Sequence, residues 1–319
     1  YDSDGNNALI LAASHDNTEC LSLLINDNAH LEAKRADGST ALIVAAGKGN
    51  TDCARLLVDA KANIHAKNNG GMTALLAATD NGCTACLELL IEAKAHVRVR
   101  EDRHDMSALT LAAVKGHFIC LLRLIEARAD VNGKDKNCTT ALMCAAINGQ
   151  ADCAKLLVYA KAHVDAKDKH GYTALMGAVM AGDEACVTML IKAKADIESL
   201  NNMDESALFI ATKTQEATCL RLLIDAKAKV DVQDKEGSLA LTMALHAEKT
   251  ECAQLLLDAK ANVNAKYKGS GVSVLHIAAV SGYLKCACLM LDAKANIEAR
   301  DRYGETALIS AAMSGQGAC

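Results

Sequence analysis

Fourteen cysteines and ten histidines carry most of the chemical capacity of this chain, and their spacing decides what chemistry is open to them. Cys83-Thr84-Ala85-Cys86 has the C-x-x-C spacing of redox dithiols. Cys286-Ala287-Cys288 places thiols at i and i+2, which point to different faces of a helix. Ten cysteines form a ladder: Cys20, Cys53, Cys86, Cys120, Cys153, Cys186, Cys219, Cys252, Cys286 and Cys319, in steps of 33 residues with two of 34. Side chains that recur once per unit sit on equivalent helices about 8–10 Å apart. A disulfide needs Cα atoms within about 7 Å, and zinc holds sulfurs about 2.3 Å from one centre. The ladder therefore neither bridges nor chelates along itself. It reads as a series of small buried hydrophobes, kept reduced inside a cell, which points to a cytoplasmic protein. Cys86 belongs to this ladder, and Cys83 occupies the slot where other units carry Asn50, His117 or Gln150, so the C-x-x-C spacing reads as coincidence. The histidines scatter over different positions, and neither a metal nor a cofactor is expected. No G-x-x-x-x-G-K, H-E-x-x-H or G-x-S-x-G pattern is present. Gly269-Ser270-Gly271 lacks the strand and helix of a phosphate loop. Nothing here points to an enzyme.

The elements that position these residues follow from a second ladder. An Ala-Leu pair has its Ala at Ala8, Ala41, Ala74, Ala108, Ala141, Ala174, Ala207, Ala240 and Ala307, with Val274 in the remaining slot. Its steps match those of the cysteines, and the two extra residues fall within Glu101–Met106 and Tyr267–Val272, in loops. In one unit, Asp37-Gly38-Ser39-Thr40 leads into a helix at Ala41, with Thr40 a good N-terminal residue. Leu42, Ala45 and Ala46 share one face, and Gly49 ends the helix in a left-handed turn. A second helix has Cys53, Leu56 and Leu57 as its inner stripe, and Ala60-Lys61-Ala62-Asn63-Ile64 leaves it. Composition agrees: hydrophobic residues reach 51% while aromatics are only 3%, with no Trp or Pro, which suits thin layers of short, closely packed helices. The net charge of −5 gives no pull toward nucleic acid, and no apolar run approaches the roughly 18 residues of a membrane span.

The repeat resembles the ankyrin repeat, whose period and T-P-L-H-x-A signature survive in Thr40-Ala41-Leu42-Ile43-Val44-Ala45, in Thr140-Ala141-Leu142-Met143-Cys144-Ala145 and in Val274-Leu275-His276-Ile277-Ala278. The resemblance implies an all-α, ankyrin-repeat solenoid of helix-turn-helix-loop units. It covers residues 1–319 as a single array of about ten repeats, the last one incomplete. Two departures are systematic. Ala or Val replaces the signature Pro. The family's Gly after the second helix becomes Lys61, Lys94, Arg128, Lys161, Lys194, Lys227, Lys260 and Lys294, with Asn28 in the first unit. If that position keeps φ > 0, each costs of order 1 kcal/mol relative to Gly, partly recovered by a cation near a helix C-terminus. The helix-ending Gly is lost as Gln215 and Glu248 in units seven and eight, so the region 201–266 is expected to be the weakest. His117 and His276 fill slots where the family often has a structural His. No polar capping repeat follows at the C-terminal end, so the protein is expected to continue further.

By the same resemblance, partners are held by the turn tips and the concave face of the first helices. Val114, Ile147 and Met180 are apolar at the position two residues before the helix-ending Gly, which implies an apolar strip. Lys115 and Asn148 lie beside it, and the neighbouring tips offer Lys136, Lys169, His170 and Tyr172. The plainer reading is that these side chains partly bury one another. A basic series, Lys34, Lys67, Arg100, Lys134, Lys167, Lys266 and Arg300, is either a solvated edge or a stripe for an acidic partner. The expected function is a non-catalytic protein-interaction scaffold. The alternative is the ankyrin segment of a larger channel, enzyme or assembly whose activity lies elsewhere.

Overall fold

The computed structural model describes residue 2 and residues 5–245, 250–267 and 269–317. These residues form nineteen α-helices and isolated β-bridges only. The chain divides into two compact units, Tyr1–Lys169 and His170–Cys319. In the first, short helices α1 (Ala8–Ser14), α3 (Ala41–Lys48), α5 (Ala74–Asp80), α7 (Ala108–Lys115) and α9 (Ala141–Ile147) alternate with α2 (Thr18–Asn26), α4 (Thr51–Asp59), α6 (Thr84–Glu92), α8 (Phe118–Glu126) and α10 (Ala151–Tyr159). In the second, α11 (Ala174–Met180), α13 (Ala207–Thr214), α15 (Ala240–Leu245), α17 (Val274–Val280) and α19 (Ala307–Met313) alternate with α12 (Glu184–Lys192), α14 (Ala217–Asp225), α16 (Thr250–Asp258) and α18 (Leu284–Asp292). Within each unit a first helix packs on its own second helix and on the first helices either side, and second helices pack on second helices. Contacts are therefore between neighbours, as in a stacked repeat.

The α3–α4 pair shows why the sequence folds this way. Thr40 is extended, and its hydroxyl accepts the Ile43 N–H at 3.5 Å, satisfying one of the free amides that open a helix. Thr73, Ser107, Thr140, Thr173, Ser206, Ser273 and Thr306 cap their helices in the same way. The six residues from Ala41 to Ala46 are all buried, not only the face of Leu42, Ala45 and Ala46. Enclosure by α1, α4 and α5 leaves the helix no solvent side until its last turn, and the small alanines make that close approach possible. Gly49 then turns left-handed at φ 79°. On α4 the buried stripe is Cys53, Ala54 and Leu57, while Leu56 sits half-buried at its rim. Lys61, at φ 69°, donates its amide to Val58, and the Ala62 amide reaches Leu57 at 2.9 Å, closing the helix in a Schellman pattern.

The same left-handed conformation holds at Asn28, Lys94, Arg128, Lys161, Lys194, Lys227, Lys260 and Lys294. Gln215 adopts it at φ 64° where other units use Gly, and its side-chain oxygen is buried without a hydrogen-bond partner. Glu248 and Cys319 lie outside the described residues. The ladder cysteines from Cys53 to Cys286 are buried thiols. Burial pushes the Cys53 thiol up to about 12 and the Cys153 and Cys219 thiols up to about 11, so they stay protonated and inert. Cys20 is the exception to the buried ladder: it is exposed. Cys86 and Cys120 pack their sulfurs on Thr51 and Thr84, the first residue of the preceding second helix, and α2 has a second-helix neighbour only on its α4 side.

Candidate protein-interaction surface

The loops between helix pairs are built by carboxylates and amides that fold back on their own turns. Asp135 Oδ1 accepts the amides of Asn137 and Thr139, both at 2.8 Å, and Asp234, Asp301, Asn201 and Asn68 repeat the arrangement. Glu101 does the same for the longer loop, accepting from Arg103, His104 and Met106. These amides outweigh the cost of its burial and hold its carboxyl below the usual value. Backbone bonds then stitch each tip to the one before. The Asn69 amide reaches the Asp37 carbonyl, Asp102 reaches Gly70, and Lys169 reaches Asn137 at 2.9 Å. The tips are thus a pre-organised edge.

Within the first compact unit, the apolar candidates sit where α7 and α9 end. Val114 is half-buried, and Ile147, the last residue of α9, is 48% exposed. Lys115 Nζ lies 3.6 Å from Asp80 Oδ1, and the Asn148 side chain donates to the Cys144 carbonyl at 2.8 Å, closing its own helix. Lys136 and Lys169 are exposed, yet their ammonium groups are already engaged. Lys136 Nζ donates to the Asp102 and Arg103 carbonyls, the latter at 3.1 Å, and Lys169 Nζ donates to Asn137 Oδ1. Both lysines splint adjacent tips. In the second compact unit, Met180 closes α11 and is 43% exposed, while His170 is exposed and Tyr172 half-buried. The His170 carbonyl accepts the Asn202 amide. Val280 and Met313 end α17 and α19 at the equivalent position, and both are exposed. At α13 the equivalent residue is Lys213, held 2.7 Å from the nearly buried Glu205, which also accepts from Asn201 at 2.8 Å. That bond to Glu205 pushes the Lys213 ammonium above its usual value.

Five members of the basic series bond to the repeat that follows. Lys34 Nζ donates to the Lys67 carbonyl, Lys67 to Arg100, Arg100 to Lys134, Lys134 to Lys167 and Lys266 to Arg300, at 2.6–3.4 Å. These five cations cap the backbone of their own counterparts one repeat later, which neither of the sequence readings anticipates. The recurrence in steps of 33 or 34 was the available signal. A second feature missed from sequence lies on the other side of the first unit. Phe118, Leu156 and Tyr159, with Asp152 and Lys155, line an open groove on α8 and α10, and Tyr159 is 71% exposed. Two ring residues on second helices of a chain with so few aromatics were the clue. His276 is buried, with Nδ1 2.7 Å from Ser273 Oγ and Nε2 3.1 Å from the Glu305 carbonyl, a structural strut. Among the described residues no group of three His, Cys, Asp or Glu side chains could hold a metal ion, and no helix is long and apolar enough to cross a membrane.

The family model for ankyrin repeats in three copies matches residues 1–68, 60–135, 120–201 and 193–267, and that for ankyrin repeats in many copies matches residues 275–319. Among solved structures the chain is similar to the human ASB11 ankyrin repeat domain, with a TM-score of 0.65 and 23% identity over 70% of this chain and 99% of that one. It is also similar to the ankyrin repeat domain of Bcl-3, described as a unique member of the IkappaB protein family, with a TM-score of 0.61 and 28% identity over 65% of this chain and 95% of that one. A search of the curated proteins finds no match.

Proposed function

This chain belongs to the ankyrin-repeat family, and from that premise we propose that it is a non-catalytic scaffold that binds partner proteins along the ends of its first helices and the adjoining turn tips. The observation that carries the reading is the exposure of Ile147 and Met180 at the one turn of an otherwise enclosed helix that solvent reaches. An exposed aliphatic side chain beside a pre-organised polar edge offers a partner apolar burial with little ordering cost. The lysines at the tips contribute by rigidity, since their ammonium groups hold the edge together. The net charge of −5 disfavours nucleic acid as the partner. Reduced, buried thiols support an intracellular, cytoplasmic setting.

The test is to purify native partners by affinity, identify them by mass spectrometry, and measure their binding to Ile147→Asp and Met180→Asp. A charge placed at the centre of an apolar contact weakens binding at least tenfold, on the scale of an interface hot spot at about 2 kcal/mol. Unchanged affinity in variants that keep wild-type helicity defeats the proposal.

A further inference from the structure

Cys83 stands at the N-cap of α6, where equivalent positions hold Asn50, His117 and Gln150. Two of these side chains brace the preceding repeat: Asn50 donates to the Ala13 carbonyl at 2.7 Å, and His117 Nε2 lies 3.2 Å from the Asp80 carbonyl. Cys83 replaces that brace with a weak thiol contact to the Gly49 carbonyl at 3.8 Å. What it gains is a second sulfur. Its Sγ accepts the Cys86 amide at 3.4 Å, and the Thr51 hydroxyl lies between the pair, 3.7 Å from Cys83 Sγ and 3.3 Å from Cys86 Sγ. Residues three apart at a helix start have Cα atoms about 5 Å apart from helix geometry, inside the range a disulfide spans. Cys83 is half-buried and within reach of a small reagent, whereas Cys86 is fully buried directly beneath it.

We propose that Cys83 and Cys86 are a redox-active dithiol that closes reversibly to an intramolecular disulfide by exchange with a small-molecule disulfide. Cys83, as thiolate, attacks one sulfur of that reagent; the reagent's S–S bond breaks, and the departing thiolate takes up the proton Cys83 released. The Cys86 sulfur then attacks Cys83 Sγ in the mixed disulfide, the bond between Cys83 and the reagent breaks, and the second small thiol leaves with the Cys86 proton. Two protein thiols are oxidised and one small disulfide is reduced to two thiols; excess small thiol reverses the sequence. The division of labour follows from position. Burial raises the Cys83 thiol, but hydrogen bonds from Cys86, Thr51 and the Ala85 amide more than offset it, leaving Cys83 below the ordinary thiol value. Burial pushes Cys86 up, as suits a resolving thiol that reacts only with a sulfur already placed beside it. Closure draws Cys83 away from Gly49 and Thr51, so the joint between α3–α4 and α5–α6 changes with the redox state.

The test equilibrates the reduced full chain with oxidised glutathione, alkylates the remaining thiols and maps them by peptide mass spectrometry. The expected result is a peptide containing Cys83 and Cys86 that is two hydrogens lighter, unalkylated and restored by reduced glutathione. The exposed single thiols Cys20, Cys138 and Cys288 serve as references and retain glutathione. Cys86→Ala is expected to trap glutathione on Cys83, and Cys83→Ser to leave Cys86 unmodified. Should Cys86→Ala fail to fold, the wild-type peptide and Cys83→Ser decide the question. Glutathione persisting on Cys83 in the wild type, or two alkylated thiols after equilibration, overturns the proposal.

Discussion

Asp37 shows how much a single tip residue contributes. The Arg35 guanidinium lies 2.6 Å from its carboxylate, and that bond, with amide and hydroxyl bonds from Ser39, outweighs partial burial and holds Asp37 at about 2. A carboxylate lowered in the folded state stabilises the fold above its unfolded value of 3.8, and that contribution is lost as pH falls from about 4 toward about 2. Arg35→Ala is expected to return the Asp37 titration toward 3.8, followed by NMR, and to flatten stability against pH in that acid window only. Both side chains are at least a third exposed, so the effect stays below about 1 kcal/mol. An unmoved titration contradicts the assignment of cause. Other residue-scale features were readable directly. Asp105, Cys138, Asp204 and Gln215 stand where most repeats carry Gly, and all keep φ > 0, because turn geometry belongs to the repeat rather than to the side chain that fills it. The partners of Lys34, Lys67 and Lys134 were not readable, since a backbone carbonyl leaves no mark in a sequence.

At the scale of the element, helix existence and caps followed from the Thr-Ala-Leu and Cys ladders, because capping and burial are local and repeat once per unit. The enclosure of α3 up to its last turn did not, since periodicity within one helix cannot show that neighbours cover its remaining faces. The same limit separates Ile147 from Val114: both are aliphatic at one repeat position, but one is exposed and the other half-buried. Unit seven ends its first helix on a strained residue. Gln215 bears left-handed strain and a buried carbonyl oxygen without a partner, although its amide bridges Thr212 and Met243. Orphaned polar atoms cost about 1–3 kcal/mol. Hydrogen exchange is expected to show the lowest internal protection between residues 201 and 266, with α3, α5 and α7 the slowest to exchange. Uniform protection across these helices contradicts it.

For the molecule as a whole, helices within each compact unit pack on those of neighbouring repeats, so stability accrues repeat by repeat. The central claim is that partners sit on the first-helix ends and not on the second-helix side. The most direct measurement places a photo-crosslinking amino acid at position 147, at position 180 or at position 159 of the full chain in its native cells. The account predicts partner cross-links from 147 and 180 and none from 159, on the side of the Tyr159 groove. Cross-links confined to position 159, or absent from both first-helix positions while helicity is preserved, contradict it.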